Sequence, residues 1–379
     1  MALGLYLHFP FCRHKCSYCD FYKELHSPET EAQFYRSLTL ETDLVADSIG
    51  SGSATLETIY IGGGTPSLTN LDLFSRWIDQ VHTRFEFSGR PEISFEMNPE
   101  SVSLELLVQL QETGINRPVF GIQSFDRQLL SLLSRKHKIA DTHKAVYWAN
   151  ALGYDNYGVD LLFGLPGQTA RMLSADLDHL VDLDPPHISL YQLTLEEGTP
   201  LETKVAQGKI TLPDDDFLGA LYRAAHEHLA ESGYTRYEVC SFAKEGHECR
   251  HNLGYWWGND YVGLGPSAHS FVNGRRYANS SDIRTYNETL SRGERPLIVD
   301  ESGTEQRMTE AIMLGLRTTK GINRVDFEQR FGFQLEDRVR RDQLQILLET
   351  GHMEADDEYV RLSYDGLFLI DEITQRLVL

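Results

Sequence analysis

Three cysteines crowd into one short stretch near the start of the chain: Cys12, Cys16 and Cys19 in HFPFCRHKCSYCDFY, spaced C-x3-C-x2-C. The whole chain of 379 residues has only five cysteines, too few for a disulfide framework, so the crowding reads as a metal or cluster site in a reducing compartment. Three thiolates on one loop can hold three irons of a [4Fe-4S] cubane and leave the fourth iron without a protein ligand. That open iron can chelate the amino and carboxylate groups of a sulfonium ligand and pass an electron to the sulfonium, which leaves the protein to position and shield. A zinc site completed by His8 or His14 is the competing reading of the same spacing.

Further along, residues suited to a nucleoside and an amino acid group recur at the ends of apolar runs. IYIGGGTPS sets Gly62, Gly63, Gly64, Thr65 and Pro66 after a strand, where glycines let backbone N–H and C=O groups approach a ligand. Glu96 in ISFEMNPE can accept from an ammonium group, and Gln123 in FGIQSF suits a ribose hydroxyl or an adenine edge. Arg135 in SRKHK can pair with a carboxylate, and Asp160 in GVDLLFGLPGQT is a strand-end acid of the kind that holds ribose hydroxyls. Tyr18 can stack on adenine, although a core aromatic would look the same. Taken singly, each has a plain reading: a turn, a solvated acid, a surface arginine.

Elements that could carry these residues alternate through the first 240 or so positions. Strand candidates are Leu3–His8, Leu56–Ile61, Pro91–Met97, Ile115–Gly121, Tyr154–Leu161 and His187–Leu193. Amphipathic stretches Thr30–Ser48, Leu71–Phe85, Leu104–Glu112, Thr142–Leu152 and Asp216–Ser232 lie between them. Six strands with helical crossovers imply a parallel sheet, either doubly wound or an incomplete (β/α) barrel, with ligands at the C-terminal strand ends in both cases. Residues 235–300 are rich in Gly, Asn, Tyr and Trp and read as a connecting region between a core at 1–234 and a C-terminal domain at 301–379. In that last part, helices at Met308–Leu316, Val325–Phe331 and Leu335–Leu348, a hairpin at His352–Ser363 and a helix at Tyr364–Arg376 suggest a winged-helix-like module.

The balance of charge restricts partners. A formal net charge of -21, with acids at the expected wing (Met353–Glu358), argues against nucleic-acid binding, which needs phosphate neutralisation by Lys and Arg. There is no basic n-region at the N-terminus and no apolar run of membrane-spanning length, so a cytoplasmic protein is expected.

The cysteine loop resembles the signature of the radical-SAM enzymes, and over nearly the whole chain the sequence is similar to the branch that holds oxygen-independent coproporphyrinogen III oxidases and HemW-type heme chaperones. The resemblance implies an incomplete (β/α)6-type barrel, a [4Fe-4S] cluster on Cys12, Cys16 and Cys19, and S-adenosylmethionine (SAM) contacts at Tyr6, Tyr18, Gly63, Gly64, Thr65, Glu96, Gln123, Arg135 and Asp160. Two departures separate the chain from the oxidases: Phe21 stands where they carry a fourth cysteine, and only eleven residues precede Cys12. The segment RHNLGYW, with His251, Asn252, Tyr255 and Trp256, is similar to the H-N-x-x-Y-W motif of the chaperone branch. Imidazole suits heme iron and aromatic rings suit a porphyrin face, although a structural turn with core aromatics would have the same sequence. The resemblance therefore implies a chaperone that binds heme and delivers it to an acceptor protein, such as a membrane-bound respiratory enzyme, with a homodimer among its expected states. Oxidative decarboxylation of coproporphyrinogen III is the alternative.

Overall fold

The apolar runs become the staves of one sheet. The computed structural model describes residues 2–50, 55–300 and 302–378. In it β1 (Ala2–Phe9), β2 (Thr55–Gly63), β3 (Glu86–Met97), β4 (Arg117–Gln123), β5 (Gly158–Phe163) and β6 (His187–Gln192) lie side by side in chain order, every neighbouring pair parallel. Helices cross over between them, which is the incomplete (β/α)6 barrel. Burial supplies the force: alternate strand residues such as Leu5, Leu7, Ile59, Ile61, Phe95, Val159 and Leu161 are almost wholly removed from water and pack against the helices.

Helix boundaries follow local chemistry. Ser27 accepts from the Thr30 N–H with Pro28 in the first turn of Pro28–Ile49, and Ser103 accepts from Leu106 N–H to open Leu104–Glu112. One expected strand begins later than its composition suggests. Tyr154 closes the preceding helix end through its N–H to the Ala149 carbonyl, so β5 starts at Gly158 rather than at Tyr154.

Residues 235–300 do not simply link two parts; they extend the sheet at both edges. β7 (Thr235–Arg236) and β8 (Ser241–Ala243) add antiparallel beyond β6. β9 (Tyr261–Leu264) joins β1 in parallel, followed by antiparallel β10 (His269–Val272), β11 (Arg275–Asn279) and β12 (Leu297–Asp300). A buried acid fastens this addition to the first helix. Glu41 accepts from Gly265 N–H at 2.8 Å, Asn279 Nδ2 at 2.7 Å and the Tyr286 hydroxyl at 2.7 Å.

The C-terminal part has its own core, built from Met308, Ile312, Phe327, Leu344, Leu347, Val360 and Ile373 among others. A three-stranded sheet of Ile322–Asn323, Tyr359–Leu362 and Met353–Ala355 makes the wing. Two expected helices are each broken. Leu335–Leu348 is a 3-10 turn (Leu335–Asp337) and a helix (Arg341–Glu349), because Val339 pairs with Val378 and Arg340 N–H reaches the Leu377 carbonyl. Tyr364–Arg376 likewise divides into Tyr364–Leu367 and Ile370–Leu377.

Candidate functional site

The cysteine loop leaves the end of β1 and is pinned before it can wander. Glu24 N–H bonds the Pro10 carbonyl at 2.7 Å, and His26 N–H bonds that of Cys12 at 3.0 Å. Ser17 Oγ donates to the Leu132 carbonyl at 2.8 Å, and Lys23 Nζ to that of Cys19 at 2.6 Å. The glycine run at the end of β2 is sewn to the same loop: Gly64 N–H bonds the Phe9 carbonyl at 2.7 Å and Thr65 N–H that of Phe11 at 2.8 Å. The fit is tight enough that a Cβ at Gly64 would lie 2.6 Å from the Phe11 carbonyl oxygen. Here glycine is required by approach.

These anchors place Cys12, Cys16 and Cys19 on the wall of one cavity of about 390 Å³. Thr65 Oγ1 donates to Cys12 Sγ at 3.5 Å. Burial raises the pKa of the Cys12 and Cys16 thiols, and Arg135 beside Cys16 opposes that rise. Among the described residues no three His, Cys, Asp or Glu side chains are arranged to hold a single metal ion. His8, one of the rival zinc ligands, is turned away, with Nε2 2.8 Å from the Tyr22 carbonyl. His14, the other rival ligand, lines the cavity together with the three thiols.

Tyr18, Gly63, Gly64, Thr65, Glu96, Gln123, Arg135 and Asp160 line the same cavity. Strand ends bring them there: Glu96 on β3, Gln123 on β4 and Asp160 on β5. Gln123 adopts a left-handed backbone, φ 68°, at a register shift between Gly121 and Gln123, an arrangement that costs free energy and recurs at binding sites. Arg135 Nη2 donates to Asn98 Oδ1 at 2.8 Å and to the Gly121 carbonyl at 2.6 Å. Burial raises Glu96 to about 7, with the Asp160 charge adding to it, and burial raises Asp160 to about 6. Two half-buried acids with raised pKa values face one cavity, where a cationic group would favour their ionised forms.

Tyr6 is the exception. It does not line the cavity but lies beneath it, its hydroxyl 3.2 Å from His8 Nδ1 and its ring 6.3 Å from Tyr60. Sequence reasoning missed Tyr60, whose hydroxyl donates to Glu96 Oε1 at 2.8 Å, and Asn98, which bonds both Arg135 and Thr65. The signal for both was periodicity: Tyr60 and Gly62 alternate on β2, and Asn98 follows the end of β3.

The HNLGYW segment lies elsewhere. It forms the helix Arg250–Trp256 near the N-terminal ends of β1 and β2, apart from the cysteines. Glu92 on β3 accepts from the Arg250 and His251 N–H groups, both at 3.1 Å. His251 is only 3 % exposed, with Nδ1 2.8 Å from Thr58 Oγ1 and Nε2 2.8 Å from the Tyr255 hydroxyl. Burial depresses its pKa to about 3. Tyr60 stacks on the His251 ring at 5.2 Å, so the floor of the barrel reaches the cysteine-lined cavity through one tyrosine. Trp256 faces outward toward the C-terminal part, while Asn252 is half-buried.

Comparison with known proteins bears on the family and the fold. The Radical SAM superfamily profile matches residues 6–180 and the HemN C-terminal domain profile residues 304–369. The chain is similar to Heme chaperone HemW of Bacillus subtilis, 32% identical over 370 residues that cover 97% of both chains. It is similar to Heme chaperone HemW of Escherichia coli as well, at 33% identity over 380 residues, 98% of this chain and 97% of that one. Its fold is that of coproporphyrinogen III oxidase (HemN) from Escherichia coli, with a TM-score of 0.84 and 22% identity over 98% of this chain and 89% of the other. By its full-length likeness to these relatives, the chain belongs to the HemW family of the radical SAM superfamily.

Proposed function

We propose that the chain carries a [4Fe-4S] cluster on Cys12, Cys16 and Cys19 with SAM in the adjoining cavity, and that it binds heme and hands it to an acceptor protein. The carrying observation for the first half is the convergence of the cysteine loop with Gly63–Thr65, Glu96, Gln123, Arg135 and Asp160 on one cavity. When bound, the cluster would supply a single electron to the SAM sulfonium. The chain's own residues bind and orient. Ionised Glu96 accepts from the SAM amino group, Arg135 holds its carboxylate, Asp160 a ribose hydroxyl and Tyr18 the adenine face. Tyr60 keeps Glu96 aimed through its hydroxyl.

Support for heme comes from the family, whose relatives are named heme chaperones, and from the HNLGYW helix. Phe21, 58 % exposed at the rim of the cavity, argues against the coproporphyrinogen reading, since a fourth thiol is missing there. Described residues include no helix long and apolar enough to cross a membrane. The unpaired thiols call for a reducing compartment, and the cytoplasm is where we place the activity, with the acceptor such as a respiratory enzyme at the membrane and a dimer as one working state. The net charge of -21 leaves nucleic acid out of this reading. The test is a heme titration followed by the Soret band, beside an anaerobic assay with SAM, a reductant and coproporphyrinogen III. Heme binding without decarboxylation is expected; turnover at enzyme-like rates would restore the oxidase.

A further inference from the structure

Asn98 precedes the 3-10 turn Pro99–Ser101, yet its side chain does not cap that turn. At other helix starts a short polar side chain does so: Asn70 accepts from the Leu73 N–H, and Asp126 from the Gln128 and Leu129 N–H groups. The Asn98 amide lies across the wall of the cysteine-lined cavity instead. Its Nδ2 donates to Thr65 Oγ1 at 3.3 Å, and its Oδ1 accepts from Arg135 Nη2 at 2.8 Å. Both partners touch a cysteine. Thr65 Oγ1 donates to Cys12 Sγ at 3.5 Å, and Arg135 is hydrogen-bonded to the Cys16 side chain. One amide at the end of β3 therefore links two of the three thiols, through Thr65 after β2 and Arg135 beyond the helix Arg127–Leu132.

The chemistry of these groups fixes the direction of each bond. A guanidinium only donates, so the Asn98 oxygen faces Arg135 and its NH2 faces Thr65. The Thr65 oxygen accepts from that NH2, which leaves its single hydrogen for Cys12. Arg135 is steadied by a second acceptor, the Gly121 carbonyl, at 2.6 Å. Every hydrogen thus runs from Arg135 toward a sulfur: directly to Cys16, and by way of Asn98 and Thr65 to Cys12. Donors aimed at cluster sulfurs stabilise the added negative charge of the reduced state and so raise the reduction potential.

We propose that Asn98 is a positioning residue that sets the reduction potential of the cluster, by directing the Thr65 hydroxyl onto Cys12 and holding the Arg135 guanidinium against Cys16. The inference rests on the cluster reading above and adds to it a residue that bonds to neither thiol itself. The arrangement requires an amide. A carboxylate of the same shape would accept from both neighbours and draw the Thr65 hydrogen away from Cys12, and an apolar side chain of the same size would neither accept nor donate.

The experiment is an anaerobic redox titration of the reconstituted cluster in the full-length chain, with iron counted beside it. Asn98→Leu should keep the iron content of the wild type and make reduction harder by about tenfold in the equilibrium constant, a fall of about 59 mV for one electron. Asn98→Asp should lower the potential further, since it adds a negative charge and also turns the Thr65 hydrogen. Thr65→Val, which removes the hydroxyl, should lower it, and Thr65→Ser, which keeps the hydroxyl, should hold it near the wild-type value. In the Thr65→Val background Asn98→Leu should have less effect than alone, because the two share one path. If Asn98→Leu takes up too little iron to titrate, the Thr65 pair decides, and equal potentials for Thr65→Val and Thr65→Ser overturn the proposal. A potential untouched by Asn98→Leu with the cluster intact overturns it too and leaves the cluster reading standing. A wild-type chain that takes up no cluster overturns the cluster reading itself, and the role of Asn98 with it.

Discussion

The two ends of the barrel are built on opposite electrostatic terms. At the C-terminal strand ends, half-buried acids face the cavity: Glu96 and Asp160 sit there with raised pKa values, and Arg13, Lys23 and Arg135 are the cations on the same wall. At the other end, Arg276, Arg307 and Arg330 line a cleft together with Trp256, Trp257 and the acids Asp260 and Glu310. The first arrangement favours a cationic group through its two raised carboxyls, whereas the second sets three guanidinium groups beside two carboxylates. The comparison teaches that a strongly acidic chain can still gather cations locally, because net charge averages over distances longer than the roughly 8–10 Å across which salt screens.

The harshest way to break this division is Cys16→Ser. Two thiolates cannot hold a cubane securely, so anaerobic reconstitution should fall from about four irons per chain to a small remnant. Heme binding should persist; its loss along with the cluster would join the two ends into one site. Stoichiometric zinc in the wild-type protein would instead sink the cluster altogether.

His251→Ala probes the other end. It deletes a buried ring with two hydrogen bonds, which should cost about 2–4 kcal/mol of stability, read as a lower midpoint in denaturant. Cluster iron should be unchanged, and heme should bind more weakly with its Soret maximum in place. A displaced maximum would make His251 an iron ligand and contradict the role given to the floor.

Asp160→Asn sharpens the cofactor end more gently. It should weaken SAM by about 1–3 kcal/mol in a direct binding measurement with iron content unaltered. Arg135→Ala should do the same, although its closeness to Cys16 makes it the less clean variant. Unaltered SAM affinity in both would return these residues to the surface-residue reading.

The smallest expected effect is in pH. Glu96 keeps its proton up to about 7 in the free protein, and an amino group is better accepted by the ionised form. Binding therefore releases a proton below that point. SAM affinity should rise with pH by up to about tenfold per unit and level off above about 7, while Glu96→Gln should flatten the profile. A wild-type affinity constant from pH 6 to 8 would remove Glu96 from the contact.

Legibility differed by element. The cysteine spacing and the strand-end residues could be read because each sits in a run whose period is local, as with Gly63–Thr65 after β2 and Asp160 within β5. Strands β7 to β12 could not, since they are two to five residues long and show too little alternation to register. For Tyr60 the alternation on β2 gives its face, but its meeting with Glu96, 36 positions later, is a long-range contact that no local period records.

By itself, then, the sequence determined the chemistry available: three thiols on one loop, the glycine run, the acids at strand ends, the aromatic motif and the caps that start and stop the helices. Those are short-range properties, decided by side-chain type and spacing. Tertiary structure alone decided which groups share a wall. It brought Arg135 against Cys16, buried Glu96 until its proton became labile near neutrality, and turned His251 inward to Thr58 and Tyr255 while leaving Trp256 on a cleft with Arg307. Burial and long-range pairing depend on strands and helices distant in the chain, and no local pattern encodes the dielectric or the partner that a side chain finally meets.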